Sequence, residues 1–226
     1  MCGRFVQATP GEVIAEVFGL SEVPELAPRY NVAPTQQAAV VRPEAGGRKL
    51  VFCRWGLIPS WAKDPTIGNR LINARAETLR EKPSFRRALL VRRCVIPATG
   101  FYEWKREAGT KIPYFFRLQS EKPMALAGLW EHWQPPEGPP VESFTIITTE
   151  ANEFMKAIHD RMPAILPLEA LSLWLDPAPR DAAALQELLR PAPSGWLEAF
   201  PVARKVNNPA YDAPDCIAPV GPVISG

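Results

Sequence analysis

The fold is decided by the stretch from Cys94 to Thr148, where four short apolar runs follow one another: Cys94-Val95-Ile96, Tyr114-Phe115-Phe116-Arg117-Leu118, Met124-Ala125-Leu126-Ala127-Gly128-Leu129-Trp130 and Phe144-Thr145-Ile146-Ile147-Thr148. Short apolar runs bounded by turn residues are typical of β-strands. Three similar runs lie outside this stretch, at Ala38–Val41, Leu50–Trp55 and Ala164–Leu166. Seven such runs joined by proline-rich connections predict an α+β fold. We expect a single domain with a distorted, mostly antiparallel β-barrel-like core and short peripheral helices.

Helices are expected at the periphery, and the first has the clearest boundaries. Thr9-Pro10-Gly11-Glu12 matches a capping box with proline at the first helical position, and Gly19 ends the helix. The apolar face of this helix is formed by Val13, Ile14, Val17 and Phe18. Four further helices are expected at Ser84–Arg92 (with Phe85, Ala88 and Leu89 inward), at Glu150–Ile158, at Leu168–Leu175, and after Asp181 as the N-cap.

Proline is unusually frequent, with 26 residues. Because proline cannot donate to a sheet and disrupts helix interiors, this frequency predicts short elements. No internal repeat or change of composition marks a domain boundary. We therefore expect one domain at residues 2–212 and a proline-rich tail without an assigned role at residues 213–226, with residues 134–140 as a surface loop.

The composition excludes several classes of protein. A hydrophobic content of 46% with seven Trp and ten Phe is too high for a disordered chain. No apolar run approaches the roughly 20 residues of a membrane helix, and the first residues lack the apolar core of a signal peptide. Four cysteines without a C-x-x-C pair make a disulfide framework or zinc site unlikely. We expect a cytoplasmic protein with reduced thiols, no membrane association, no metal and no cofactor.

Charge is distributed unevenly along the chain. Residues 1–113 carry 18 Lys and Arg against 10 Asp and Glu, a net charge of +8, whereas residues 114–226 carry 8 against 14, a net charge of −6. Within the basic half, Arg70 to Arg93 holds eight Lys and Arg and two Glu. This segregation predicts an anionic partner for one part of the molecule, or else a solvated basic helix.

Cys2 is the first candidate for chemistry. Loss of Met1 would give Cys2 an α-amine and a thiol on adjacent carbons. An α-amine titrates near pH ~8 and a thiol near ~8.5, so both nucleophiles are expected to be partly available at neutral pH. Such an aminothiol can attack an aldehyde with its amine and then close a five-membered thiazolidine ring with its thiol. The alternative is that a cysteine at position 2 has no chemical role.

Glu103 and His159 are candidates for proton transfer. On a strand, Phe101 and Glu103 point to the same side, and a carboxyl among aromatic rings is expected to have a raised pKa. His159 follows the third expected helix, whose dipole favours the protonated ring. The alternatives are a surface glutamate paired with Lys105 and a histidine that caps helix carbonyls.

A third group of candidates has polar and aromatic side chains suited to a nucleic acid. Asn73 can orient a reacting group while Arg75 and Arg4 hold phosphates by their planar guanidinium groups. Trp61 precedes the basic stretch, and aromatic residues among arginines are typical of surfaces that bind single strands. In the alternative interpretation, Asn73 belongs to a turn and Arg75 is a surface charge. At least one of Trp55 and Trp61 is then expected to be a core residue.

Six motifs, which follow one another along the chain, together resemble the SOS-response-associated peptidase family, whose members are also called abasic-site-processing proteins. Each motif is weak alone, but the six span residues 2 to about 210. They are Met1-Cys2-Gly3-Arg4-Phe5, Arg29-Tyr30-Asn31-Val32-Ala33-Pro34, Arg54-Trp55-Gly56-Leu57-Ile58-Pro59, Ile72-Asn73-Ala74-Arg75-Ala76-Glu77-Thr78, Gly100-Phe101-Tyr102-Glu103-Trp104 and Ile158-His159-Asp160-Arg161-Met162-Pro163.

The resemblance implies a DNA-damage function in the SOS response. Cys2, exposed by autoproteolytic loss of Met1, would form a thiazolidine crosslink with the aldehyde of an abasic site in single-stranded DNA and shield the lesion. Asn73 would position the sugar or amine, Glu103 would assist proton transfer, and His159 would act at the sugar hydroxyl or phosphate. A lyase side reaction is also implied, because a Schiff base at this sugar favours β-elimination.

The resemblance also implies a set of DNA contacts. Arg4, Arg75 and Arg161 would bind phosphates, Trp61 would lie near the strand, and Thr148 would line the pocket. The partner would be single-stranded DNA with abasic sites, bound by a monomer that associates with the nucleoid. Two other functions are compatible with the residues, namely a thiol peptidase acting on other proteins through Cys2 and His159, and a non-covalent single-strand binder.

Overall fold

A computed structural model describes residues 2–178 and 181–226, in which fourteen strands and five short α-helices alternate with 3-10 turns. The strands are β1 (Phe5–Gln7), β2 (Arg29–Val32), β3 (Gln37–Glu44), β4 (Gly47–Trp55), β5 (Asn73–Arg75), β6 (Arg93–Ala98), β7 (Gly100–Glu107), β8 (Thr110–Leu118), β9 (Met124–Trp133), β10 (Val141–Glu150), β11 (Arg161–Pro163), β12 (Ile165–Leu166), β13 (Leu197–Pro201) and β14 (Ile224–Ser225). The helices are α1 (Gly11–Phe18), α2 (Arg86–Val91), α3 (Glu153–Lys156), α4 (Leu171–Trp174) and α5 (Ala182–Glu187).

Five strands form a closed mixed barrel in the order β10-β4-β3-β6-β9, and β9 returns to pair with β10. The β10–β4 pairing is parallel and the other four pairings are antiparallel. Strands β5 and β11 extend the barrel along β10, and β12 extends it along β9. The predicted α+β fold with a barrel-like core is confirmed, and all seven strand-like runs lie in strands.

A six-stranded antiparallel sheet lies beside the barrel, in the order β14-β13-β8-β7-β1-β2. The N-terminal strand β1 pairs with both β2 and β7. Several strands of this sheet were not predicted, because β1, β2 and β14 have two to four residues and too little periodicity to be recognised. The tail adds β14 as the outermost strand beside β13, so the C-terminal residues pack against the sheet.

One core cluster occupies the same face of all five barrel strands and continues onto one face of the six-stranded sheet. It contains Cys2, Phe101, Phe144 and Ile146 among others. A second cluster lies between the other barrel face and the helices, and a third lies under the C-terminal segment. Cys2 therefore lies in the core that the barrel and the sheet share.

The helices confirm part of the prediction. Gly19 ends α1 with a φ of 66°, and the Asp181 carboxylate accepts from the Ala183 N–H at 3.0 Å as an N-cap. The capping box is wrong, because Pro10 is the N-cap and makes no side-chain bond, while the Thr9 hydroxyl lies 3.0 Å from that of Thr99. Helix α3 is also shorter than expected, because the side chain of Asn152 caps it at its first turn.

The high proline content does not keep all elements short, which corrects the expectation. Strands β9 and β10 have ten residues each, and β8 contains Pro113 within its nine residues. Proline removes a donor but keeps its acceptor, and the Pro113 carbonyl accepts from the Val202 N–H at 3.0 Å. Residues 134–140 form the connection between β9 and β10, as predicted.

The four cysteines are buried and unpaired, as the sequence predicted for reduced thiols. Within the described residues, no helix is both long and apolar enough to span a membrane.

Candidate active site

The sheet edge, which we define as the end of β7 next to the N-terminus, holds Cys2 and Glu103. Backbone hydrogen bonds join the N-terminal segment to β7. The last of them runs from the Tyr102 N–H to the Arg4 carbonyl, at 3.0 Å. Beyond this point the Trp104 N–H donates to the Glu103 carboxylate. Glu103 therefore lies where β7 extends past the N-terminal strand, on the side of β7 that faces the barrel.

Glu103 has the properties predicted for it on a strand beside aromatic residues. The residue is 3% exposed, and Phe101 on the same strand face is fully buried. Burial raises the pKa of the Glu103 carboxyl to about 7. At neutral pH this group is therefore divided between its acid and base forms, which suits proton transfer.

Cys2 differs from the expectation for its thiol. The residue is fully buried, and burial together with the nearby Glu103 charge raises the pKa of the thiol to about 12. The value of ~8.5 is expected for the aminothiol that forms once Met1 is lost and stays a prediction; in the chain that carries Met1 the pKa of the thiol is higher, because a buried thiolate loses its hydration. Reaction at Cys2 requires a group that takes the thiol proton, and Glu103 lies close enough to influence it.

His159 joins Glu103 from the barrel side, after α3. Its Nε2 lies 3.9 Å from Glu103 Oε2, and its Nδ1 accepts from the Arg161 N–H at 3.0 Å. Burial lowers the pKa of His159, although the exposed Asp160 carboxylate favours the charged ring. The expected protonation by a helix dipole is wrong, since α3 has only four residues and desolvation outweighs its end charge. The lowered pKa favours the neutral ring, whose Nε2 is directed toward Glu103.

The barrel rim, which we define as the ends of β5, β10 and β11, holds Asn73 and Thr148. Asn73 pairs with Ile146 in register, so it shares the strand face that Ile146 and Thr148 occupy on β10. Asn73 Oδ1 and Thr148 Oγ1 are both buried and have no hydrogen-bond partner among the residues that the structure describes. Buried polar atoms of this kind are costly and typical of sites that bind a polar ligand.

Two of the predicted phosphate-binding arginines have protein partners. Arg161 donates to both carboxylate oxygens of Glu77, at 2.7 and 3.0 Å, and to the Thr148 carbonyl at 2.8 Å. Arg4 donates to Asn31 Oδ1 and to the Val206 carbonyl, both at 2.7 Å. These bonds give both arginines a structural role, and their contact with DNA stays a prediction.

Arg75 and Trp61 are exposed. Arg75 lies at the end of β5, and Trp61 is 58% exposed on a connection anchored by the Trp133 indole, which donates to the Ala62 carbonyl at 2.7 Å. Trp55 is fully buried, as expected for at least one of the two tryptophans. An exposed indole at a fixed position is suited to stacking with a base.

A pocket of about 310 Å³ opens at the sheet edge. Two groups that the sequence singled out, Glu103 and His159, lie in its wall. Trp104 belongs to the same motif as Glu103 but was not singled out. The remaining lining residues were missed, because nothing in the sequence relates them to the site: Arg106, Lys111 and Asn207. Asn207 is brought there from the C-terminal segment by a bond from the Trp104 indole at 2.8 Å.

The region after Trp61, which had no recognisable motif, forms a 3-10 turn at Pro65–Arg70. Gly56 has a φ of 121°, and a Cβ at Gly68 would lie 2.6 Å from the Gly56 carbonyl. Only glycine permits this approach, which holds the turn against the end of β4. In the described ranges, 2–178 and 181–226, no three His, Cys, Asp or Glu residues come together in a group that could hold a metal.

Fold and site together define a class of protein in which an N-terminal cysteine lies beside a buried glutamate, between a mixed barrel and an antiparallel sheet. The family model described as SOS response associated peptidase (SRAP) matches residues 1–209. The chain belongs to this family, which confirms the resemblance.

Several relatives are similar over most of the chain. Abasic site processing protein YoqW of Bacillus subtilis is 48% identical over 221 residues, covering 96% of this chain and 99% of the relative. Abasic site processing protein HMCES of Gallus gallus is 35% identical and covers 85% of this chain and 66% of the relative. A solved structure of a protein from Bacteroides thetaiotaomicron superimposes with a TM-score of 0.88 at 28% identity, over 97% of this chain and 100% of that one.

Proposed function

We propose that this protein processes abasic sites in single-stranded DNA by forming a covalent thiazolidine crosslink through Cys2. The observation that carries the proposal is the position of the buried Cys2 thiol next to the Glu103 carboxyl, whose pKa is raised to about 7. The names of the relatives support an abasic site as the substrate. The crosslink would shield the lesion as part of the DNA-damage response.

The reaction first requires removal of Met1. Hydrolysis of the Met1–Cys2 peptide bond consumes one water and frees the Cys2 α-amine. Glu103, whose charge acts on the Cys2 thiol, and His159, whose ring lies 3.9 Å from Glu103, are the candidates to exchange a proton in this step at neutral pH. We propose that the same site carries out this autoproteolysis.

The amine then attacks the open-chain aldehyde of the abasic sugar. Addition gives a carbinolamine, and loss of its hydroxyl as water gives a Schiff base. The neutral Glu103 carboxyl supplies the proton that this leaving hydroxyl needs, and Glu103 thereby becomes a carboxylate. Its raised pKa keeps a large part of the acid form available at neutral pH.

Ring closure uses the proton in the opposite direction. The Cys2 sulfur bonds to the former aldehyde carbon, the C=N electron pair returns to nitrogen, and the Glu103 carboxylate takes the thiol proton. Burial raises the thiol pKa to about 12 in the chain that carries Met1, and an ordinary thiol also titrates above neutral pH. A free thiolate is therefore scarce in either case, and ring closure requires transfer of the thiol proton to a neighbouring base. One carboxyl therefore serves both steps and ends in its initial form.

The barrel rim orients the sugar in this proposal. Asn73 Oδ1 and Thr148 Oγ1 offer buried polar atoms to the sugar or the amine, and His159 acts at the sugar hydroxyl or its phosphate. Arg75 and Trp61 contact the strand, with Arg4 and Arg161 as further contacts through their remaining N–H groups. A slow β-elimination from the Schiff base, a lyase activity, is expected to accompany the crosslink.

The test begins with the intact mass of the purified protein, which should lack Met1. The protein is then mixed with single-stranded DNA that contains uracil and has been treated with a uracil glycosylase. A denaturing gel should show a slow-migrating adduct with the wild type and none with Cys2→Ala. An adduct that persists in Cys2→Ala, or a wild type that binds abasic DNA without forming one, contradicts the proposal.

The same experiment separates the other two functions. A single-strand binder would release all DNA at high salt, whereas an adduct that survives high salt and denaturant excludes purely non-covalent binding. A thiol peptidase acting in trans would cleave added peptides through Cys2. Absence of such cleavage in a protein that forms the adduct rejects this function.

A further inference from the structure

Two cations face each other on the hairpin formed by β7 and β8. Arg106 and Lys111 are direct partners in the antiparallel register, one pair before the end of the ladder at Glu107 and Thr110. We call them the Arg106–Lys111 pair. Like charges directly opposite each other on a sheet are destabilising, so the pair costs stability unless an anion lies between its members.

The protein does not neutralise this pair. In the part of the chain that the structure describes, neither side chain has a carboxylate within 4.0 Å, and the nearby Glu107 lies 3.8 Å from Lys105 instead. Other cations near the site already have side-chain partners, since Arg161 is bound to Glu77 and Arg4 to Asn31. The Arg106–Lys111 pair is thus available to an external anion.

The pair also lies at the reacting groups. Both side chains line the 310 Å³ pocket whose wall contains Glu103 and His159. The Arg106 charge is close enough to His159 to contribute to lowering the pKa of the ring. An anion held by the pair would therefore lie within one pocket width of the carboxyl that serves the aldehyde.

We propose that the Arg106–Lys111 pair binds a phosphate next to the abasic sugar and makes the site selective for phosphorylated sugar aldehydes over uncharged ones. The inference rests on the proposed function and adds the group that recognises the substrate. A sugar in a DNA strand carries a phosphate on each side, and a guanidinium with an ammonium is a suitable receptor for one of them. Free deoxyribose has the same aldehyde and no phosphate, so it gains nothing from the pair.

The test compares the double variant Arg106→Gln/Lys111→Gln with the wild type. At subsaturating DNA, the crosslinking rate with abasic single strands should fall about tenfold, and the rate with free 2-deoxyribose, followed by intact mass, should not change. The salt dependence of DNA binding should also become shallower, by about 0.7 in the log–log slope for each phosphate that the variant no longer neutralises. The matched control is Lys105→Gln/Lys122→Gln, which removes the same charge outside this pocket. At low salt this control should keep far more of the wild-type crosslinking rate than the Arg106→Gln/Lys111→Gln variant does.

Binding is measured as well in a Cys2→Ala background, with a strand that contains a tetrahydrofuran analogue of the abasic site. This measurement needs no crosslink, so it tests the pair even if the proposed chemistry fails. An unchanged salt slope and an unchanged rate in the double variant overturn the inference, as does an equal loss of rate with free deoxyribose. A wild type that forms no adduct with abasic DNA overturns the proposed function instead.

Discussion

Glu103 lies at the sheet edge and Glu77 follows β5 at the barrel rim, and the pKa values of these two glutamates are shifted in opposite directions. At the sheet edge, burial raises the pKa of Glu103 to about 7. At the barrel rim, the two hydrogen bonds from Arg161 lower the pKa of Glu77. Burial that outweighs the neighbouring charges keeps the Glu103 carboxyl protonated to a higher pH, whereas hydrogen bonds from a guanidinium stabilise the charged carboxylate of Glu77.

This comparison separates reacting groups from supporting groups. Cys2 and Glu103 come from the six-stranded sheet, where both have raised pKa values. Asn73, Thr148 and Arg161 come from the barrel, where Asn73 and Thr148 carry buried side-chain oxygens without a partner among the described residues and Arg161 is bound to Glu77. Chemistry should therefore be most sensitive at the sheet edge, and stability at neutral pH should depend modestly on the ion pair at the rim.

The largest effect is expected for crosslinking by Glu103→Gln. General acid–base groups contribute typically 10²–10⁴-fold, so the rate should fall by at least about a hundredfold. The wild-type rate should also decline as the pH rises through about 7, where Glu103 loses its proton, and the variant should lack this decline. Single-turnover kinetics across pH measure both effects. Glu107→Gln on the same strand is the control, and a comparable loss there would contradict the assignment.

Glu103→Gln should have the opposite effect on stability. A carboxyl whose folded pKa is raised stabilises the fold fully below its unfolded pKa, and this contribution is lost as the pH rises through about 7. At pH 9 the variant should exceed the wild type by up to about 3 kcal/mol in the free energy of unfolding. Denaturant titrations at pH 5 and pH 9 test this. A difference that does not grow with pH would show that Glu103 is not desolvated in solution.

A smaller effect on rate is expected at the barrel rim from Thr148→Val. If its buried hydroxyl bonds the substrate, the loss of one hydrogen bond of about 1 kcal/mol should slow crosslinking roughly fivefold. Thr145→Val is a matched control, because Thr145 is equally buried on β10, also lacks a partner among the described residues, and faces the opposite side. Both variants should be at least as stable as the wild type. Equal rates in the two variants would refute a role for Thr148.

The smallest effect is expected for Glu77→Gln, which breaks the ion pair with Arg161. Half of the Glu77 side chain is exposed, so the loss at pH 7 should be no more than about 1 kcal/mol. A carboxylate with a lowered folded pKa stabilises the fold above its unfolded pKa and stops doing so as the pH falls through its folded value. The difference from the wild type should therefore shrink as the pH falls below the ordinary glutamate range and Glu77 becomes protonated, as denaturant titrations can establish. A difference that persists there would indicate packing rather than charge.

The sequence was most informative where a property is local. Five of the seven apolar runs predicted the barrel strands and the other two correspond to β8 and β12, because burial on a sheet requires apolar side chains at adjacent positions. Alternation predicted that Phe101 and Glu103 share a face, and the raised pKa of Glu103 followed from its aromatic neighbours. Short strands such as β1 and β5 escaped prediction, since three residues have no period and their pairing comes from distant partners.

What the sequence determined alone was the family, the barrel-forming runs and the types of side chain at the candidate site, since these depend on residues close together in the chain. Tertiary structure decided which of these groups meet and in which protonation state. The raised pKa of the Cys2 thiol, the lowered pKa of His159, the binding of Arg161 to Glu77 and the placement of Lys111 in the pocket all depend on contacts between distant segments. The physical reason is that desolvation and charge act through space, and the chain alone does not give those distances.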